Sequence, residues 1–303
     1  MEHSTLISKR AGDSGAASPG RLLIEHSAGD FQEKFDRDSF QFTHRLANHP
    51  AFQLPELIKL AKRLNHNIYF DHGDIQINDR WNEAPPKTYS VDEVLEKIEN
   101  AGAWFFVKNA HEAPDYCELV DQCLAEAEEL TGRPFQKGMR NREMIIFLTS
   151  PNRIATYHID RECSFLLQIS GSKTIHIFNR NDRDVLPEEE IEKFWTRDNN
   201  APRYRAQYQD RAASYRLSPG VAVHIPVNFP HWVQNDNNVS VSVNLNVQFA
   251  DSYRADTYRA NYCLRMLGLN PTPPGRFPNR DALKAEGYNR LRQVCGFLGK
   301  RLP

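Results

Sequence analysis

The stretch Thr156-Tyr157-His158-Ile159-Asp160, "TYHID", lies near the midpoint of the 303-residue chain and reads in two ways. One is a strand carrying two incidental polar residues. The other is two legs of a metal site. Residues i and i+2 of a strand share a face, so His158 and Asp160 point inward together or outward together. An aspartate turned inward without a partner is costly to bury, which leaves either an exposed face or a ligand role. The ligand role needs a third donor, a loop that aims it and a barrel that holds all three.

Working outward, "SPGVAVHIPVNFPHWVQN" (Ser218–Asn235) offers the third donor. A Pro219-Gly220 turn leads into an apolar strand, then Pro226, a short loop and His231. Between Asp160 and His231 the chain has room to traverse several strands and return beside the first pair. Two imidazoles and one carboxylate on one side of a metal leave the opposite face open, the arrangement suited to non-haem Fe(II) working with O₂. Such a site keeps positive charge and favours an anionic co-substrate, which needs a cation inside the barrel. In "SGSKTIHIF" (Ser170–Phe178), Lys173 alternates with Ile175 and Ile177 on one strand face, so it is expected to be buried and to require an anion. His176 and His224, on neighbouring strand runs, read as satisfied strand histidines.

The surrounding texture supports a barrel. From Glu143 to Ala250 short β-rich runs, among them "EMIIFLT", "SFLLQISG" and "VSVSVNLNVQF", are separated by turn residues, the pattern of a sandwich or jelly-roll barrel. A charged, aromatic insertion at 186–211 interrupts them and includes a short helix at "PEEEIEKFW". Residues 30–142 read as mostly helical, with "FQLPELIKLAKRL" and "DYCELVDQCLAEAEELTG" amphipathic and a capping box at Ser90…Glu93 opening another helix. "AWFFVKN" is a short strand. Residues 1–29 read as a disordered leader and 251–303 as C-terminal helices.

Composition sets the limits. The chain has 38 basic and 39 acidic residues, a net charge of −1, and 40% hydrophobic residues, enough for a sizeable core and without signal for a nucleic-acid partner. No apolar run approaches the roughly 18–20 residues that span a bilayer, so no membrane partner is expected. Five cysteines, an odd number without a C-x-x-C pair, argue against a disulfide framework or a cysteine zinc site and for a reducing, cytoplasmic setting.

At these residues the sequence resembles the JmjC/cupin-like Fe(II)/2-oxoglutarate oxygenases, nearest to their asparaginyl-hydroxylase-like, JmjC-only branch and to bacterial cupin-like proteins. His158-x-Asp160, "FLLQISGSKTIHIF" with Lys173 fifteen residues after His158, and the run into His231 carry the resemblance over 143–250. It implies a mainly β fold, a double-stranded β-helix flanked by N- and C-terminal helices. It implies Fe(II) held by His158, Asp160 and His231, with 2-oxoglutarate and O₂ as co-substrates and Lys173 on the far carboxylate. Further co-substrate contacts carry over to Thr156, Ser164 and Asn246, with Asn244 second to Asn246. The sequence departs from the pattern at Val221, where the family has Asp, at Ser164, where the branch often has Asn, and at Ala155, beside which Thr156 takes the contact. Tyr157, Arg161 and Trp232 flank ligands and are read as substrate contacts. The branch implies a homodimer face on the C-terminal helices; packing of Tyr258 and Tyr262 on the barrel is the other reading. The implied activity is hydroxylation of a peptide, protein or small amino-acid-like side chain. N-methyl demethylation, a cupin-fold binding or regulatory protein without turnover, and a cupin enzyme independent of 2-oxoglutarate are the alternatives.

Overall fold

Period-two alternation dominates the architecture. In Lys173–Ile177 the first, third and fifth residues are buried and the two between are half-buried. In Ser240–Phe249, Val243, Leu245 and Val247 join one core while Ser242, Asn244 and Asn246 turn to the other face. The protein was analysed as a computed structural model that describes residues 20–24, 29–72, 75–80, 93, 98–100, 102–249 and 252–297. Most of the leader, and nearly all of the helix expected after Ser90, lie outside these residues.

Twelve strands are found among the described residues: β1 (Leu23–Ile24), β2 (Phe40–His44), β3 (Ile68–His72), β4 (Ala103–Val107), β5 (Met139–Thr149), β6 (Ile154–His158), β7 (Cys163–Ser170), β8 (Lys173–Ile177), β9 (Ala213–Leu217), β10 (Val221–Ile225), β11 (His231–Asn235) and β12 (Ser240–Phe249). They form an eight-stranded sheet, β1-β2-β10-β7-β12-β5-β4-β3, and a four-stranded sheet, β6-β11-β8-β9. Every pairing is antiparallel. From β5 onward the chain passes back and forth between the two sheets, which makes a double-stranded β-helix. Between the sheets, Leu166, Ile175, Ile177, Leu217, Val223, Ile225, Phe229 and Val233 pack as an inner core.

The larger core lies behind the eight-stranded sheet. Helices α1 (Asp30–Lys34), α2 (Leu54–Arg63) and α3 (Pro114–Thr131) bury Phe31, Leu57, Leu60, Tyr116 and Leu119 against Phe105, Phe165, Val243 and Leu245. Burying a large apolar side chain there contributes about 1.5–3 kcal/mol. Gly132, at φ 65°, closes α3 as its composition suggests. The mostly helical reading of 30–142 requires correction: β2 and β3 join the strand already read at "AWFFVKN" (β4) in extending the barrel sheet, so this segment is continuous with the barrel. β1, at the end of the stretch taken as leader, pairs with β2. In β2, "FQFTH", every second residue is buried, and so short a run gives the alternation little length in which to stand out.

The insertion contributes α4 (Glu188–Thr196), packed on α5 (Ser252–Met266) through Ile191, Phe194, Trp195, Ala255 and Tyr258. Its other half lays Tyr204 and Tyr208 over the outer face of the four-stranded sheet. α6 (Pro278–Phe297) pairs with α5 and completes the C-terminal region. No helix among the described residues is long and apolar enough to cross a membrane.

The turn that delivers Lys173 is tightly enclosed. Gly171 has φ +67°, and a Cβ there would stand 2.2 Å from Asn238 Oδ1 and 2.3 Å from the Val239 carbonyl. The Ser172 N–H also donates to Asn238 Oδ1. Gly171→Ala is therefore expected to cost about 2 kcal/mol or more, since it adds left-handed strain to a backbone clash. The check is the unfolding midpoint in a denaturant titration; an unchanged midpoint would show that the loop yields freely.

Candidate metal centre

Three donors converge where β6 and β11 meet. His158 ends β6, Asp160 follows in the loop, and His231 opens β11 directly opposite His158 in the antiparallel register. One donor atom from each of His158, Asp160 and His231 lies within 4.8 Å of the other two. His231 Nε2 is 3.6 Å from one Asp160 carboxylate oxygen, and His158 Nε2 is 3.9 Å from the other. The Phe229–Pro230 approach to β11 leads directly into His231, whose Nδ1 meets the Phe229 carbonyl.

Backbone carbonyls choose the tautomers. His158 Nδ1–H donates to the Thr156 carbonyl at 2.6 Å, and His231 Nδ1–H donates to the Phe229 carbonyl at 2.9 Å. A carbonyl only accepts, so each ring carries its proton on Nδ1 and presents an Nε2 lone pair to the shared space. Burial, with the nearby His158, lowers the His231 pKa to about 4, partly opposed by Asp160. His231 is therefore neutral near pH 7, the state a metal ligand requires.

The triad opens on a cavity of about 270 Å³ whose lining includes Thr156, Lys173, Asn235, Asn244 and Asn246. Lys173 is 5% exposed, and burial alone lowers its pKa to about 7. Among the described residues no carboxylate pairs with it. It faces Asn235 across the β8–β11 ladder, four residues along β11 from His231. At about 3.3 Å per residue, that separates the two positions by roughly 13 Å along the strand. Thr149 Oγ1, Asn235 Oδ1 and Asn244 Oδ1 also line this cavity, each buried without a hydrogen-bond partner. Orphaned polar atoms beside a buried unpaired cation describe a site built for a polar, anionic guest.

The other sequence-selected residues separate. Thr156 shares the His158 face and lines the cavity. Asn246 reaches it too, but its amide is committed: Oδ1 accepts from Ser164 Oγ and from Asn244 Nδ2, and Nδ2 donates to Glu143. Asn244, ranked second by sequence, holds the free oxygen. Ser164 is fully buried behind Asn246 and does not line the cavity. Arg161 stands in the cavity wall, donating to the Phe194 carbonyl and Asn199. Tyr157 and Trp232 do not reach the cavity. Each neighbours a ligand in sequence, and alternation turns it to the outer face, where both pack with Phe178 and Val185 beneath the insertion. The insertion therefore covers that outer face, and only Phe194 and Asn199 of it line the cavity.

His176 and His224 are satisfied strand histidines. His224 Nδ1 donates to the Ser164 carbonyl while Nε2 accepts from the Asp36 N–H. His176 stacks on Trp232 and meets Ser214 and Gln209. Sequence reasoning missed Thr149, Asn235 and the aromatic wall of Trp104, Phe106 and Phe147. Parity could have found Thr149 and Phe147, which share a face with Ile145 on β5. The β4 wall depends on strand order.

No protein-family profile matches this chain, and no curated protein matches it. Solved structures do. Over 91% of this chain and 69% of the other, an X-ray structure of Escherichia coli YcfD superposes with a TM-score of 0.50 at 15% identity. Two further structures are of YcfD, a ribosomal oxygenase from Escherichia coli, in complex with cobalt and 2-oxoglutarate and with cobalt and succinic acid. They align at 15% and 14% identity, with TM-scores of 0.49 and 0.48, over 90% of this chain and 68% of theirs. At these identities the likeness is one of fold, and it agrees with the double-stranded β-helix traced from the strand pairing.

Two measurements test the geometry. Asp160→Ala should lower Co(II) affinity by more than the roughly 10–100-fold that losing an outer partner costs, as read by titration calorimetry. Undiminished affinity would remove Asp160 from the site. Lys173 makes a separate claim. Its folded pKa is depressed, so burial opposes folding fully below about pH 7, and the penalty fades as pH rises toward 10.5. Lys173→Met should thus be more stable than the parent at pH 7, by on the order of 4 kcal/mol, with the gap narrowing toward pH 10. Urea titrations that show a constant gap would contradict it.

Proposed function

We propose that the protein is an Fe(II)- and 2-oxoglutarate-dependent oxygenase that hydroxylates a peptide, protein or amino-acid-like side chain. The observation that carries this reading is Lys173, a buried cation without a counter-ion among the described residues, in the same cavity as the His158, Asp160 and His231 donors. An extended dicarboxylate answers both ends of that space. The donor set fits the metal: two neutral imidazole nitrogens and one carboxylate, with the cavity beside them open to further ligands. The motif resemblance over 143–250 points the same way.

Bound Fe(II) supplies the O₂ chemistry that side chains lack. The rest falls to this chain. Thr156 and Phe229 carbonyls hold the two imidazoles in ligating tautomers. Lys173 pairs with the far carboxylate of 2-oxoglutarate, and the Thr149 hydroxyl donates to the same anion. Asn244 Oδ1 is left to accept a hydrogen bond from substrate. Trp104, Phe106 and Phe147 form the apolar wall against which the substrate side chain lies and from which water is displaced. The overall change consumes substrate C–H, 2-oxoglutarate and O₂ and yields C–OH, succinate and CO₂. The five free cysteines fit a reducing cytoplasm. Exposed Leu283, Leu291 and Val294 on α6 suit a homodimer face.

The test is succinate formation without added substrate. Fe(II)-loaded protein given 2-oxoglutarate and O₂ should release succinate above a metal-free control. Lys173→Ala should raise the KM for 2-oxoglutarate at least about 30-fold, the effect of removing one partner of a buried charge pair, while Co(II) affinity holds. Absence of succinate from the metal-loaded parent would end the oxygenase reading.

A further inference from the structure

Arg161 divides two spaces. On one side it lines the metal cavity, and on the other it lines a second cavity of about 430 Å³. That cavity runs between α5, the end of β12 and the segment joining α3 to β5, and its wall holds Arg133, Arg140, Arg161, Arg254 and Arg259. A third cavity, of about 420 Å³, shares Arg140 and Arg259 and adds Arg292 from α6. Neither is lined by a lysine.

The acids beside these arginines are already engaged. Asp36 accepts from Arg180 and from the Val227 N–H. Asp256 accepts from Arg259 and from Asn289. Among the described residues, Arg133, Arg140, Arg161 and Arg292 have no ion-pair partner. The Arg161 Nε is buried without any hydrogen-bond partner, although its Nη2 is used. Phe35, Phe135 and Phe249 line the second cavity as well, and the Arg133 guanidinium lies 5.3 Å from the Phe35 ring centroid.

Guanidinium groups gathered in one groove repel, and a bound anion relieves that cost more than solvent screening alone does. A single carboxylate would neutralise one of four, so two adjoining compartments call for a ligand with several anionic groups. The exclusive use of arginine favours planar forks that grip phosphate oxygens in pairs and stack on flat rings. We propose that this groove binds the phosphates of a nucleotide or of a single-stranded nucleic acid. The near-zero net charge of the chain does not oppose this, because affinity follows the local cluster. The proposal stands apart from the oxygenase reading, since it uses neither the metal ligands nor Lys173.

Anisotropy of a labelled ten-nucleotide oligouridylate, with ATP, pyrophosphate and polyglutamate as competitors, tests it on the full chain. The oligonucleotide should bind at low salt and weaken as salt rises. Arg140→Glu with Arg292→Glu, both exposed positions, should weaken it at least tenfold and flatten the salt dependence. Arg133→Gln, a milder change, should weaken it several-fold. Succinate formation by these variants should match the parent, which separates this test from the oxygenase one. Displacement by ATP and pyrophosphate marks a nucleotide site; retention of the oligonucleotide against both marks a strand site. Either supports the proposal. No binding of any phosphate probe, affinities unchanged in both variants, or displacement by polyglutamate as effective as by ATP would overturn it.

Discussion

The site depends on one strand being hydrogen-bonded on both sides. β11 lies between β6 and β8, so His231 faces His158 on one flank and Ile177 on the other, while Asn235 faces Lys173. A single register thus sets the separation of the two imidazoles and the distance from the metal donors to the buried cation. Shifting β11 by one residue would turn His231 to the outer face and put Trp232 in its place. The bulge between His231 and Val233 shows that the ladder bends at the metal end and runs regularly toward Lys173.

Electrostatics explains why such a cavity is tolerable. A buried lysine and a histidine that cannot hold its proton both avoid carrying full charge in a dry interior, and their lowered pKa values are the mark of that. Glu162, in the same wall, moves the other way, its carboxyl raised to about 7 by burial and by Asp160. Lys173 and His231 thus shed charge in the dry interior, and an anion beside Lys173 would restore its charge. The larger core behind β7 and β12 bears the stability, leaving the inner core free to give up space to polar atoms.

The barrel and the donors were legible because each rests on short-range pattern. Alternation in "KTIHI" and in "TYHID" gives faces directly, and the Pro226 and Pro230 loop marks where His231 must turn. What was not legible depends on who lies beside whom. β2, β3 and β4 belong to the barrel sheet only through long-range pairing, which no local run reveals. Tyr157 and Trp232 were misassigned by proximity in sequence, although parity already places them opposite their ligand neighbours. Spacing ranked Asn246 over Asn244, and it could not show that Ser164 and Glu143 bond the Asn246 amide while Asn244 Oδ1 stays unpartnered.

Arg161 shows why whole-chain charge is a poor guide to partners. Thirty-eight cations and thirty-nine anions nearly cancel in sum. The fold nevertheless sorts them, spending Glu190 on Arg205 within the insertion, Glu192 on Arg265 of α5 and Asp198 on Arg80. The arginines around the end of β12 are left with too few carboxylates. Arg161 belongs to that cluster and to the metal cavity at once, held by Phe194 and Asn199 of the insertion and stacked near the Phe194 and Trp195 rings. Its Nε, buried without a hydrogen-bond partner, lies where the two spaces share one side chain.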